Sequence, residues 1–412
     1  MKNIKPLFLL KIYLFILKSI FYFTRTNFLK IRIDLIHKII YSKDFVLIKA
    51  QDVSGIKILY EEDSTKNENF LPIIYKLCDG GSFINTLPGR KLIEINNCSF
   101  YLNSDFIRVS NENVINEKLF KKEYSNLIPI DSDLIELKGK DTYKLSDSKD
   151  FVLSSNCYYF NGTFISHWGH FILEHLAKLE FIRYIDKNDI EIDVFLPVDI
   201  DSHIKIVIEN FFENRQKFKI KYIEKSVKII AKRLYLPVLN TFIANNSNYF
   251  SPLLIQISDS NVNFVTNLLQ SYRKKNIKLD KNIFLGYKGD RNLINYNEVS
   301  NLFLKNEYMI VYPHELKFNE KIDLFSSAKN IVGIGSSAFT NTIFSSNEIQ
   351  ILMFLPNIRA LETGLSKFNK KLNQKSFFFT GKDFNNSNLS TKFELDIEEL
   401  TQFCYQNNFF NQ

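Results

Sequence analysis

Three of the chain's six histidines fall within nine residues, in the stretch Ser166-His167-Trp168-Gly169-His170-Phe171-Ile172-Leu173-Glu174-His175. The periodicity predicts a helix over 167–185, on which His167, His170 and Glu174, spaced i, i+3 and i+7, share one face. Trp168, Ile172, Leu176 and Leu179 form another face, the core side. A carboxylate four residues from an imidazole orients it and strengthens its hold on a proton, the equipment of a general base. A buried structural His–Glu pair or an N-terminal cap is the alternative use of the same residues. Zinc fits less well. HExxH is absent, the inverted HxxEH needs one residue fewer than separates His170 from His175, and no cysteine stands at ligand spacing.

A second constellation is Ile331-Val332-Gly333-Ile334-Gly335-Ser336-Ser337-Ala338-Phe339-Thr340-Asn341, a strand running into a small-residue turn and then a helix. Gly333 and Gly335 let backbone N–H groups approach an anion, and Ser336, Ser337 and Thr340 add hydroxyls. It is not a Walker loop, since no Gly-Lys-Ser/Thr follows. A dinucleotide site is also a poor fit, because the next strand ends in Pro-Asn without the ribose-binding acid. A tight packing turn explains the small residues equally well. Third, Tyr287-Lys288-Gly289-Asp290-Arg291-Asn292 follows a strand end; there Lys288 and Arg291 could neutralise a diphosphate. Asp131/Asp133 and Asp199/Asp201 form Asp-x-Asp pairs able to hold a divalent ion on a nucleotide sugar, a short pattern that also arises by chance.

These residues need elements to position them. Residues 45–150 read as short strands and loops, including Phe45–Ile48, Ile56–Tyr60 and Phe106–Val109. Beyond the 167–185 helix come a strand at Asp193–Val198, a helix near 202–213, and strands at Phe218–Ile223 and Leu234–Val238. Ser251-Pro252 predicts a helix start running to about Lys275, Ser suiting the N-cap and Pro the first turn. The last third alternates most regularly. Strands are expected at Ile283–Tyr287, Met309–Tyr312, Ile331–Ile334 and Ile349–Leu355, and helices at 296–306, 319–328 and 338–345. Such alternation implies right-handed βαβ units and parallel sheets, which bind ligands at the carboxyl ends of their strands. The expectation is two α/β lobes around a cleft, dividing near 240–250.

The composition is that of a globular protein, 45% apolar and 24% charged. The net charge of +8 is small beside 53 Lys+Arg and 45 Asp+Glu, and argues for no nucleic-acid partner. The four cysteines form no CxxC pair, so a reducing cytoplasm is expected. Residues 7–23 are apolar, but Lys11 and Lys18 cut them into runs of about six, far short of the ~20 needed to span a bilayer. Lys11, Lys18, Arg25 and Arg32 recur every seven residues, making a basic stripe on an otherwise apolar helix. That pattern suits an anionic membrane surface, or docking on protein.

Taken in order, the motifs resemble glycosyltransferase family 61. The family's helix of form HWLLEhLpRL is matched by His170–Leu179. Its second block, roughly R-x-I-x-N-E, a helix, G-F-x-V and E-x-L-x-x-x-E-Q, is echoed by Arg291, Asn297-Glu298, Tyr308–Val311 and Glu315-Leu316 to Glu320. Its third, V-V-G-x-H-G-A-x-L-T-N-x-x-F, aligns with Ile331 through Phe344, with Gly335 in place of the histidine. The resemblance covers about 155–360. It implies a GT-B-like α/β fold of two Rossmann-like lobes facing a cleft, with an N-terminal amphipathic helix (1–35), an acceptor lobe containing the strand-rich segment (36–245) and a donor lobe (246–412). It further implies inverting, metal-independent transfer from a nucleotide sugar, without cofactor, to a glycan or lipid-linked acceptor of capsule or other surface polysaccharide. That places the protein in the cytoplasm, on the inner face of the membrane. His170 or Glu174 would deprotonate the acceptor. Lys288, Arg291, Ser336 and Ser337 would stabilise the departing diphosphate in a pocket shaped by Gly333, Gly335 and Asn341. The alternatives are a non-catalytic polysaccharide-assembly protein, favoured by Gly335, and a metal-dependent GT-A enzyme using Asp-x-Asp.

Overall fold

The computed structural model describes residues 45–47, 56–63, 65–66, 73–75, 86–87, 89–104, 106–109, 113–116, 135–137, 142–145, 150–162, 164–186, 189–239, 242–246, 249–288, 293–356, 363–384 and 392–411. The helix expected over 1–35, the Asp131/Asp133 pair and Arg291 lie outside them. Among the described residues no helix is long and apolar enough to cross a membrane.

The fold is mixed α/β, built on two large sheets. The principal strands of the first are β1 (Lys91–Phe100), β2 (Phe151–Tyr158), β3 (Ile192–Pro197), β4 (Phe218–Ile223) and β5 (Lys228–Val238). They lie in the order β4-β3-β2-β5-β1. All neighbours are parallel except β5 and β1, which run antiparallel. Beyond β1 the sheet continues through short strands, and every described element between 45 and 150 is a strand, as the sequence predicts. β3, Ile-Asp-Val-Phe-Leu-Pro, is buried along its whole length, as a central parallel strand covered on both faces should be.

The second sheet contains β6 (Lys281–Leu285), β7 (Met309–Val311), β8 (Ala328–Ile334), β9 (Gln350–Pro356) and β10 (Lys375–Asp383), all parallel, in the order β7-β6-β8-β9-β10. Residues 73–75, from the strand-rich part of the sequence, add a parallel strand to the far side of β10.

Side-chain alternation separates three cores. Ile283, Ile331, Ile351 and Met353 face inward, and Phe284, Val332, Leu352 and Phe354 outward. The inward set merges with Tyr158, Val194 and Leu196 of the first sheet into one continuous core. The middle layer between the sheets holds the helical segment 168–185, α1 (Ser202–Phe212), α2 (Asp259–Gln270) and α4 (Phe318–Ser326). α3 (Tyr296–Lys305) and the C-terminal helix α5 (Ile397–Gln406) cover the outer face of the second sheet, where Phe303, Phe377, Phe403, Phe409 and Phe410 pack edge-on. The third core belongs to the strands of the first sheet and their turns, including Ile93, Cys157, Phe195 and Leu234; that sheet curls into a half-barrel around them.

One expectation fails locally. Ser251-Pro252 does not open a helix but lies in the strand Tyr249–Gln256, which pairs antiparallel with Phe242–Asn246. A two-stranded hairpin consists only of edge strands, where a missing N–H is tolerated. The helix starts later, at Asp259, because Ser258 is the residue whose hydroxyl accepts the Asn261 N–H at 3.2 Å. α1 begins as expected, capped by Asp201, which accepts the His203 N–H at 2.8 Å.

Candidate functional site

The predicted helix at 167–185 is continuous in path but not in hydrogen bonding. Trp168–His170 is α-helical, Phe171–His175 a π-turn, Leu176–Phe181 3₁₀ and Ile182–Ile185 α again. Wider and tighter turns of this kind concentrate at functional positions. The helix also begins one residue later than expected. His167 is its N-cap, in extended conformation and exposed, so it does not share a helical face with His170 and Glu174. Its ring lies edge-on, 6.4 Å from that of His170.

His170 and Glu174 do meet. The Glu174 carboxylate hydrogen-bonds His170 Nδ1, with the Glu174 side chain 1% exposed and that of His170 25%. With Nδ1 donating to an ionised carboxylate, Nε2 carries the lone pair, and of the two side chains it is the imidazole that reaches solvent. Phe164 stacks on the His170 ring at 4.7 Å. Phe164 adopts φ +64°, which a bulky side chain accepts only when its surroundings enforce it. Here the Phe164 N–H donates to Asn103 Oδ1 at 3.0 Å, and the Asn103 N–H donates to buried Asn161 at 2.7 Å. Asn161 in turn donates to Tyr101 and Ser104 carbonyls at 2.8 and 3.1 Å.

The small-residue turn stands against this helix. A Cβ on Gly169 would lie 2.6 Å from Ser337 Cβ, so only glycine allows the approach. Trp168 Nε1 donates to Asn341 Oδ1 at 2.9 Å, tying the two segments together. Gly333, at φ +155°, packs on Leu285, whose carbonyl oxygen a Cβ would meet at 2.8 Å. At Gly335 a Cβ would meet the Leu355 side chain at 2.3 Å, so a substituent there points toward β9. The following helix, Ser337–Phe344, is 3₁₀. Thr340 and Thr342 hydroxyls and the Asn341 amide donate back to the carbonyls three residues earlier, at 2.7 to 2.8 Å. The Thr340 hydroxyl expected to meet a ligand is therefore committed to the Ser337 carbonyl, while Ser336 and Ser337 remain at the surface of a cavity.

That cavity, of about 360 Å³, is lined by Trp168, Lys288, Ser336, Ser337 and Asn341 together with Asp201, His203, His314 and Lys321. It opens beyond the carboxyl ends of β6 and β8. From β6 the chain moves to β7 on one side and returns to β8 on the other, so this is the sheet's switch point, where parallel sheets bind ligands. Gly333, Gly335, His170 and Glu174 do not line it, although Trp168, two residues before His170, does. Lys288 reaches the rim, bonded to Glu315 at 2.7 Å and lying over the Tyr312 ring at 4.3 Å. The Glu315 hydrogen bond raises its pKa above the ordinary lysine value.

Two wall residues belong to no motif in the sequence. His203 of α1 and Lys321 of α4 are both buried, with His203 Nδ1 and Lys321 Nζ 2.8 Å apart. Burial pushes the Lys321 ammonium down to about 8. Burial and the neighbouring Lys321 lower His203, against the opposing pull of Asp201 and a hydrogen bond with the Leu316 backbone. The signal was a polar residue inside an apolar stripe: His203 with Ile204, Val207 and Ile208, and Lys321 with Phe318, Ile322 and Phe325.

A larger cavity of about 580 Å³ lies among Glu62, Arg90, Glu180, Arg183 and Arg215 and contains none of the expected residues. Arg90, 2% exposed, is fully engaged there by Glu62, by Glu180 at 2.5 Å and by Asn261 at 3.0 Å. Arg183 pairs with Glu180 at 3.0 Å, while Arg215 is held by the Phe211 carbonyl and ring. Among the described residues no three His, Cys, Asp or Glu side chains converge on a metal position. Asp199 is paired with Lys225 at 2.7 Å and Asp201 caps α1.

The arrangement defines an α/β protein with a polar cavity at a parallel-sheet switch point and a carboxylate-oriented imidazole on the segment that packs against its wall. Residues 168–352, just under half of the chain, match the family described as Glycosyltransferase 61. Over that stretch the chain is similar to glycosyltransferase family 61, which supports a glycosyltransferase. The matched stretch starts at the site tryptophan and ends inside β9, so it contains both the His/Glu helix and the small-residue turn. No curated protein matches the chain.

Proposed function

We propose that the protein is an inverting, metal-independent glycosyltransferase that moves a sugar from a nucleotide-sugar donor to a hydroxyl of a glycan or lipid-linked acceptor. The observation that carries this reading is the joint between the segments: Gly169 against Ser337, and Trp168 bonded to Asn341, tie the segment that bears His170 to the wall of the switch-point cavity. In the proposed reaction the donor diphosphate occupies that cavity, held by Lys288, Arg291 and the Ser336–Ser337 turn, with Asn341 fixing the wall. His170 Nε2 takes the acceptor hydroxyl proton. The acceptor oxygen attacks the anomeric carbon from the opposite face, and the bond to the diphosphate breaks with its electron pair leaving on phosphate oxygen. Glu174 positions His170 and stabilises the imidazolium. His167, exposed beside it, is assigned to acceptor contact.

The parallel strand orders of the two sheets support a GT-B reading, with the acceptor on the 36–245 side and the donor on the 246–412 side. The basic, apolar 1–35 segment supports action at the inner face of the cytoplasmic membrane in surface-polysaccharide synthesis. The test is a transfer assay over a panel of nucleotide sugars. His170→Ala is expected to lower turnover roughly 10²- to 10⁴-fold while leaving donor affinity near wild type, with Glu174→Gln intermediate. Wild-type turnover in both folded variants would remove the base assignment. A non-catalytic assembly protein is the second reading, favoured by Gly335 in place of the family's histidine. Slow donor hydrolysis without acceptor distinguishes the enzyme from it. Loss of activity with EDTA would instead favour a metal-dependent route.

A further inference from the structure

Lys321 and His203 form an unusual contact for buried side chains. Both are bases, their nitrogens lie 2.8 Å apart, and they come from helices 118 residues apart in sequence. Two like charges at that distance disfavour each other, so the pair cannot hold two protons without a counter-charge. The neighbouring anion is Asp201, 3.8 Å from His203, but its side chain is 38% exposed and its oxygen already accepts the His203 and Ile204 N–H groups. The other ionisable groups lining the cavity are Tyr287, Lys288 and His314, with Glu315 taken up by Lys288. The π-face of Trp168 lies 5.0 Å from Lys321 Nζ and partly shields it. The walls thus carry basic groups from both sides of the cavity and one carboxylate committed to a helix cap. Replacing this pair with apolar residues would suit the surrounding Phe318, Phe344 and Trp168 better. Its presence calls for a ligand carrying negative charge.

We infer that His203 and Lys321 form a diphosphate clamp that shares a single proton, loosely held when the cavity is empty and fixed on Lys321 when the donor diphosphate enters. This rests on the donor-pocket reading above and adds to it the residues that recognise the diphosphate and the proton that accompanies it. No covalent bond changes. Where the empty pair has lost its proton, one moves from solvent to Lys321, and the dianion supplies the missing counter-charge. Trp168, touching Lys321 and bonded to Asn341, would pass the occupancy of the clamp to the helix that carries His170.

The test is calorimetry of UDP-glucose, GDP-mannose and dTDP-rhamnose, whose diphosphate diesters do not titrate near neutrality, with the full-length protein at pH 7, 8 and 9 in buffers of different ionisation enthalpy. For whichever donor binds, net proton uptake is expected at pH 8, and affinity should fall about tenfold per pH unit above it. Lys321→Met should lose tenfold or more in affinity and abolish the uptake linked to that residue. Lys321→Arg keeps the charge without titrating, so it should bind at pH 7 and lose the decline between pH 8 and 9. This second variant decides the matter if Lys321→Met does not fold. Donor binding that is flat with pH, or undiminished in Lys321→Met, overturns the clamp while leaving the donor pocket standing. No binding of any of the three donors to wild type overturns both.

Discussion

Two buried cations in this protein have opposite surroundings. Arg90 is enclosed by Glu62, Glu180 and Asn261, and its ring neighbour is Phe181 at 5.3 Å. Lys321 has a histidine where Arg90 has carboxylates. Both side chains are almost completely removed from water, so both have lost hydration. Arg90 recovers that loss through two carboxylates, Lys321 only in part through His203 and the Trp168 ring. A satisfied buried charge fastens parts of the chain together, here β1, the 3₁₀ turn and α2. A partly satisfied one raises the energy of the empty site and is expected to be relieved by a ligand. By this criterion the smaller cavity, not the larger, is the one proposed to take a ligand.

The contrast can be broken experimentally. The largest stability effect should come from Arg90→Met, which takes the buried partner from two half-buried carboxylates and should cost about 2–3 kcal/mol. The check is the urea midpoint, with turnover per folded molecule unchanged. Lys321→Met should do the opposite, leaving stability equal or slightly raised while donor binding falls. The pH dependence of the two sites should share a sign but fall in different windows. Lys321 is lowered to about 8 in the folded state, so between pH 8 and its ordinary value near 10.5 the unfolded chain binds more protons. Wild type should therefore gain stability relative to Lys321→Met as pH rises through that window. At Glu62 burial raises the carboxyl pKa, but the Arg90 hydrogen bonds outweigh it and hold it below the ordinary value. Its contribution is present above about pH 4.5 and lost as pH falls, a smaller effect visible as a shallower acid limb in Glu62→Gln.

Much of this organisation is legible in the sequence for identifiable reasons. β3, β8 and β9 are covered on both faces, so they read as unbroken apolar runs between turn residues. The turn at Gly333–Ser337 is visible because close packing on Leu285 and on the helix excludes larger side chains. His170 and Glu174 are found by spacing alone, since a four-residue separation keeps them adjacent whether the turn is α or π. The switch between turn types is not visible, because it depends on which carbonyls the packing selects. The hairpin at 242–256 was hidden because Ser-Pro carries the same local signal at a helix start and in an edge strand. His203 and Lys321 were missed since motif reading attends to residues near each other in sequence, and these meet only when α1 and α4 pack.

The site hydrogen bond from Trp168 to Asn341 involves the single tryptophan of the chain. Its indole also lies under Lys321 and borders the cavity. The protein therefore carries one optical probe, placed where sheet, helix and ligand converge. Excited on the red edge, away from the 20 tyrosines, its emission should shift when a nucleotide sugar enters and should lose that response in Asn341→Ala. Substrate preference could then be measured by titration in a cuvette, without knowing the acceptor.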